Sequence, residues 1–477
     1  MTTGDSESQP MSLDPHGAEL QMSGAVAGMA VPGAVLTVAG LAAACGLALC
    51  SSQPGGLFLH AYLVAYAFFL SITLGGLFFV MLHHLARAGW SVTLRRLAEA
   101  LAGNIGLMGV LAIPLLVGMG EIYPWASLED WSRRAGVAPV TVRDASASGS
   151  EVTVTFIGPL PVYYLSPPAF IARLVAYFLI LGGLVWYLRS RSIRQDADGD
   201  PRWSRRMEWV STPGMILLAL VASFASFDLL MGLQPNWSST IFGVYFFIGS
   251  VLAGLVTLVL LARWLQARGR LGPSVSIEHY HDLGKLAFAF VFFWGYIAFG
   301  QYLLIWYANM PEETQFYMVR QIGPWAWVSI ALVVFQLLIP FLGLLSRHAK
   351  RNLKVLSFWA VWLLAAHLFD LYWIVMPNLY VRQMPAAVGA PPGTPLRKVL
   401  AELLASNQSV YELAPKYAQF MSNVAAPLQP LSVAVVLALV AGMGGLYLMS
   451  TARLLAGAAL VPVGDPRLDE SLAFENT

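Results

Sequence analysis

Two aspartates occupy the same frame inside segments otherwise built of hydrocarbon side chains. Phe227-Asp228-Leu229 is followed after five residues by Pro235-Asn236, and Phe369-Asp370-Leu371 by Pro377-Asn378 at the same interval. At helical rise, each carboxylate sits ~10 Å inside the end of its segment. An ionisable group at that depth is costly, faces a bundle interior, takes a partner, and by default marks an ion or proton path. His367, one helical turn before Asp370, adds an imidazole, which titrates near neutral pH. Arg173, Glu121 and His60 lie at comparable depth in other segments. Together these three carboxylates, two imidazoles and one guanidinium could form a wired path. For Arg173 and one aspartate, a structural ion pair fits the residues equally well.

The densest polar cluster is Glu278-His279-Tyr280-His281-Asp282-Leu283-Gly284-Lys285. Glu278, His281, Asp282 and Lys285 are spaced i, i+3, i+4, i+7 and share one helical face. Together with His279 they could take up protons at a helix entrance, because burial tunes carboxylates toward the range where imidazole titrates. The alternative is an ion-pair cluster that anchors the helix end.

The elements that must position these groups are membrane helices. Of 477 residues, 57% are hydrophobic and 11% charged, with a mean hydropathy of +0.65; a soluble domain carries about a quarter charged residues. Apolar runs near the ~20-residue spanning length fall at 24–50, 57–86, 97–121, 166–189, 210–233, 239–266, 281–307, 321–345, 352–376 and 428–455. Alternate short loops carry Arg87, Arg95 and Arg96, then the arginines from Arg189 to Arg206, then Arg263, Arg268 and Arg270, then Arg347, Lys350, Arg351 and Lys354. The short loops between them hold only Arg320. The positive-inside rule makes the basic side cytoplasmic, with both termini there. The first residues include Asp5, Glu7, Asp14 and Glu19 without a basic n-region, which predicts an uncleaved tail.

Residues 68–77, FFLSITLGGL, align with 246–255, FFIGSVLAGL. Taken with the two Asp frames, this predicts an all-α membrane protein with two parallel-related four-helix bundles, spans 2–5 and 6–9, plus two peripheral helices. The organisation is then a tail over 1–22, a peripheral helix within 23–56, a first bundle over 57–233 and a second over 234–376. An outer-face loop at 377–427, a tenth helix at 428–455 and a tail over 456–477 complete it. The outer loop at 122–165 contains Glu129, Asp130, Arg133 and Arg134 and a Ser/Val/Thr-rich stretch, 141–157, that suits a hairpin; residues 396–406 of the second loop have helical spacing. Long loops of this kind suit docking of a partner on the outer face.

Redox centres find few ligands. Cys45 and Cys50, both in the first span, are expected to pack within a small-residue helix and cannot build a disulfide framework, a zinc site or an iron–sulfur ligand set. Six of the eight histidines lie in the tail or at basic ends, leaving His60 and His367 as the one pair in the outer half, which speaks against a b-type haem; no CxxCH exists for a c-type haem. The aromatics Phe292, Phe293, Trp294, Tyr296, Phe299, Tyr302, Trp306 and Tyr307 could line a quinone slot beside Gln301, or form packing and interface belts.

The stretch 278–313, EHYHDLGKLAFAFVFFWGYIAFGQYLLIWYANMPEE, together with FDLLMGLQPNWSSTIFGVY (227–245), LLSRHAKRN (344–352) and HLFDLYWIVMPN (367–378), closely resembles the ActF-type, NrfD/PsrC-like integral membrane subunits of bacterial alternative complex III, a quinol:cytochrome c oxidoreductase. The resemblance covers most of 57–378; the long loops and termini match poorly. It implies an NrfD-like fold in the bacterial inner membrane and a subunit that binds no cofactor itself. It also implies a sister NrfD-like subunit, an iron–sulfur subunit and multihaem cytochrome c subunits as partners, and quinol as substrate of the complex. Proton half-channels are implied too, with His367, Asp370, Asp228 and the 278–285 cluster as candidate residues. A secondary transporter and a passive anchor for outer-face redox subunits are the alternative readings.

Overall fold

The computed structural model describes residues 20–22, 25–51, 53–126, 140–143, 151–154, 164–235, 237–321, 324–381 and 429–475. Ten helices are long and apolar enough to cross a membrane, and they coincide one for one with the ten apolar runs. They are α1 (Ala25–Ala48), α2 (Pro54–Leu85), α3 (Val92–Val117), α4 (Pro167–Asp198), α5 (Arg202–Leu229), α6 (Ile241–Gln266), α7 (Ile277–Ala308), α8 (Trp325–Leu345), α9 (Leu353–Val381) and α10 (Pro430–Ala456). The chain is a multi-pass membrane protein. Among the described residues the only strands lie in the loop after α3, where β1 (Val140–Arg143) pairs antiparallel with β2 (Glu151–Val154), Val140 opposite Val154. The expected hairpin at 141–157 is therefore present. Residues 1–19, Glu129, Asp130, Arg133, Arg134, Asn236 and the expected helix at 396–406 lie outside the described residues.

Local chemistry explains where these helices start and break. Pro occupies the first turn of α2, α4 and α10, where its missing N–H costs nothing. Inside α3 the regular ladder breaks at Asn104 and Ala112. The Asn104 amide donates back to Ala100 O at 3.1 Å and across to Thr451 Oγ1 at 2.9 Å, which ties the break to α10. Residues Val334–Leu338 of α8 form a π turn, and the Phe335 carbonyl within it accepts the Trp362 indole N–H at 2.8 Å.

The centre of the molecule is α2, buried nearly all round, which touches α3, α5, α6, α9 and α10. With no hydrophobic drive between helices in lipid, close approach rests on small residues. A Cβ on Gly75 would lie 2.2 Å from the Ser250 carbonyl oxygen, and one on Gly254 would lie 2.7 Å from Gly75 Cα. Pairing follows a pattern: α4 and α5 touch each other and α5 touches α2, while α8 touches both α7 and α9 and α9 touches α6. The contacts α2–α9 and α6–α5 then join the two groups. α1 lies against α10 through Gly33, Gly40, Gly442 and Gly445. Cys45 and Cys50 do not pack inside this seam; both are exposed, because the glycine and alanine face of α1 is the one turned to α10.

Candidate functional site

The two Asp frames are wired differently. In the first, α4 carries Arg173 and Tyr177 one turn apart, and both reach Asp228 on α5. The guanidinium donates in fork fashion, Nε to Oδ2 at 3.0 Å and Nη2 to Oδ1 at 2.7 Å, and the Tyr177 hydroxyl donates to Oδ2 at 2.7 Å. The Arg173 guanidinium also lies 3.8 Å above the Tyr164 ring. Burial of Tyr164, outside the spans, pushes its hydroxyl up to about 12, so it stays protonated beside this pair. Asp228 is fully buried while the Arg173 side chain is 21% exposed.

In the second frame no cation forms an ion pair with Asp370 among the described residues. Its partners are neutral donors from two helices: the Tyr245 hydroxyl of α6 donates to Oδ1, and the Trp294 indole of α7 donates to Oδ2 at 3.3 Å. Asp370 and His367 are both buried. Ser71 on α2 donates its hydroxyl to Phe68 O at 2.7 Å and lies 2.9 Å from His367 Nε2, so Nε2 carries the proton and donates to Ser71. His367 Nδ1 is left as a buried acceptor without a hydrogen-bond partner, facing Gly249, where a Cβ would come within 3.2 Å of it.

Pro377 lies inside α9 and removes the N–H that Trp373 O would take. Arg320 supplies the donors: Nε to Trp373 O at 3.1 Å, Nη2 to Ile374 O at 2.7 Å and Nη1 to Phe316 O at 2.7 Å. The Asn378 amide donates to Ile374 O and Val375 O. The Pro-Asn of the frame thus has a physical role, and Arg320, the one basic residue of those short loops, is a buried cap.

The remaining candidates separate. His60 is buried on α2, with Nδ1 2.8 Å from its own-turn Gly56 O, and Glu121 is exposed. In the 278–285 cluster, Glu278 pairs with Arg351, through Oε2 at 3.0 Å to Nη1, and Asp282 pairs with Lys285 at 2.5 Å, with His281 Nδ1 4.0 Å from Asp282. His279 turns elsewhere: its Nδ1 accepts the Ser276 N–H at 3.1 Å, so its Nε2–H is directed at Ser471 Oγ, 3.2 Å away. Ser471 in turn donates to Trp90 O at 2.7 Å. The aromatics proposed for a quinone slot mostly face outward, since Phe292, Phe293, Tyr296, Phe299, Trp306 and Tyr307 are exposed; Trp294 alone turns in to reach Asp370. No three His, Cys, Asp or Glu side chains converge on a metal-sized site among the described residues.

Sequence reasoning missed a second buried polar network, at the basic end. Arg95 and Arg96, read as surface charges, are buried. Arg95 pairs with Asp465 at 2.5 Å, and Arg96 with Asp196 at 2.7 Å and with Glu99 at 3.3 Å. The available signal was the spacing Arg95-Arg96-x-x-Glu99 running into an apolar segment. Compared with known proteins, the chain matches no family model and no curated protein.

Proposed function

We propose that this chain is an ActF-type, NrfD/PsrC-like membrane subunit of a respiratory quinol:electron acceptor oxidoreductase, alternative complex III, in the bacterial inner membrane with both termini cytoplasmic. In this reading it holds no redox cofactor; an iron–sulfur subunit and multihaem cytochromes c hold them, a sister NrfD-like subunit lies beside it, and quinol is the substrate of the complex. Its own contribution is a proton route. The observation that carries this reading is Asp370: a buried acid held by a phenol and an indole, with a buried imidazole one turn away. An acid held by neutral donors can gain and lose a proton without breaking an ion pair, whereas Asp228, clamped by Arg173, acts as a fixed charge that joins α4 to α5.

The pairing of helices favours the repeat as well. Matching α2 to α6 and α5 to α9 exchanges the contact α2–α9 with α6–α5, as an axis along the membrane normal requires. A secondary transporter has less support, because helix breaks in corresponding positions of the two halves would mark its site. The breaks of α3 and the π turn of α8 fall on non-corresponding helices.

The test is purification of the tagged chain from its native membrane in mild detergent, followed by quinol oxidation and proton release by Asp370→Asn combined with Asp228→Asn. Co-eluting c-type haem, with turnover or proton release lowered in the assembled double variant, supports the proposal. A lone chain overturns the respiratory assignment; unchanged turnover and proton release leave only a passive anchor.

A further inference from the structure

Glu99 sits on α3 near the basic end, 2% exposed; the Ser192 side chain of α4 approaches its carboxylate, but neither oxygen is held in close hydrogen-bonding geometry among the described residues. A buried carboxylate in that condition is costly. Its nearest cation, Arg96 Nε at 3.3 Å, forms an ion pair without a hydrogen bond. Across from it, Arg189 of α4 commits Nη2 to the Leu454 carbonyl and leaves Nη1 unpartnered. Glu99 and Arg189 line one cavity, walled by Leu77, Val80, Val185 and Leu188, of about 10 Å³. That is room for one water, and Glu99 and Arg189 are the two polar side chains on its wall.

The geometry points to Glu99 as a proton-exchanging acid of the first helix group, served by a water held between its carboxylate and Arg189 Nη1. The charges around it permit the exchange. Arg95 and Arg96 from α3, and Arg189 and Ser192 from α4, face the carboxylate; Asp196 answers Arg96, Asp465 answers Arg95, and His84 of α2 lies beside Arg95. Three guanidinium groups thus meet three carboxylates. Arg96 is closer to Asp196, at 2.7 Å, than to Glu99, so it keeps an anionic partner when Glu99 becomes neutral. In the step itself, a proton reaching the bridging water from the basic side moves to a Glu99 oxygen, the water regains its neutral form, and the new carboxylic O–H donates onward; no electron moves. The direction of flow rests on the proposed function, but the protonation chemistry does not.

The test is infrared titration of the full-length chain, with whatever partners accompany it, in lipid nanodiscs in H2O and D2O. The expected result is a carboxylic-acid C=O band that rises on acidification, shifts on deuterium exchange, vanishes in Glu99→Gln, and changes frequency in Glu99→Asp. Glu99→Asp retains a carboxyl and keeps the test valid if the Gln variant fails to fold. No Glu99-dependent band, or one blind to D2O, overturns the inference and leaves a dry structural ion. Absence of haem partners would sink the respiratory assignment while leaving this readout intact, so the two failures are distinguishable.

Discussion

The Tyr245 hydroxyl on α6 donates to the Asp370 carboxylate on α9, and Trp294 on α7 donates to its other oxygen, so one buried acid ties together three helices with no arginine among its donors. Asn at 370 would offer a single acceptor to two donors. One donor is then orphaned, at about 1–3 kcal/mol. Asp370→Asn is expected to assemble with lowered thermal stability and to lose most quinol-driven proton release. Tyr245→Phe removes one hydrogen bond, about 1 kcal/mol, and should lower proton release less. Proton release from proteoliposomes checks both, and full release by Asp370→Asn would return Asp370 to a packing role.

The Arg173–Asp228 pair gives an asymmetric prediction. Asp228 is fully buried, whereas the Arg173 side chain is 21% exposed and lies within two turns of the start of α4, so removing the arginine strands a charge held inside the bundle, and removing the aspartate strands one whose long side chain can reach toward the helix end. Arg173→Met should cost about 3–5 kcal/mol and Asp228→Asn less, with the double change Arg173→Met/Asp228→Asn less damaging than Arg173→Met alone. Thermal unfolding of the parent and the three variants as a double-mutant cycle decides it. Equal single-variant costs would mean that the pair is solvated from both sides.

Such differences trace what the sequence could reveal. Apolar runs are local, so all ten helices were legible, as was the hairpin. The two Asp frames were legible because a carboxylate in hydrocarbon is conspicuous wherever it occurs. Partners were not: Asp228 meets Arg173 and Asp370 meets Tyr245 through helix packing that no local pattern encodes. Charge pattern misled where side chains fold inward. Arg95 reads as a surface residue because its partner, Asp465, is 370 positions away in sequence. Glu278 reads as part of a helix-face cluster because Arg351 belongs to another element.

Close packing of α2 on α6 makes Gly75 a sensitive position. A methyl group there would lie 2.2 Å from the Ser250 carbonyl oxygen, whereas one at Gly46 on α1 meets nothing within 4 Å. Gly75→Ala must push the two central helices apart and is expected to cost about 1–3 kcal/mol. Gly46→Ala should be neutral or slightly stabilising, since Ala is the better helix former. Thermal midpoints in one detergent compare the two; a tolerated Gly75→Ala would show that the α2–α6 contact is looser than its geometry.

Lys350 provides a pH prediction outside the membrane spans. It lies in the short helix Arg347–Arg351, with Nζ 3.4 Å from Leu345 O and 5.0 Å from the centre of the Phe288 ring. Burial, and secondarily the charge of Lys285, push its amine below the usual lysine value of 10.5. With a depressed folded-state pKa the unfolded chain binds more protons over the interval between the two values, so stability rises with pH across it. The charged amine is a burden below the folded value, and that burden fades as pH climbs toward 10.5. Lys350→Met should therefore be more stable than the parent at neutral pH, with the advantage shrinking on the alkaline side. Thermal midpoints of both proteins across that range check the sign: an advantage that grows with pH would mean that the amine is held charged by a partner rather than penalised by burial.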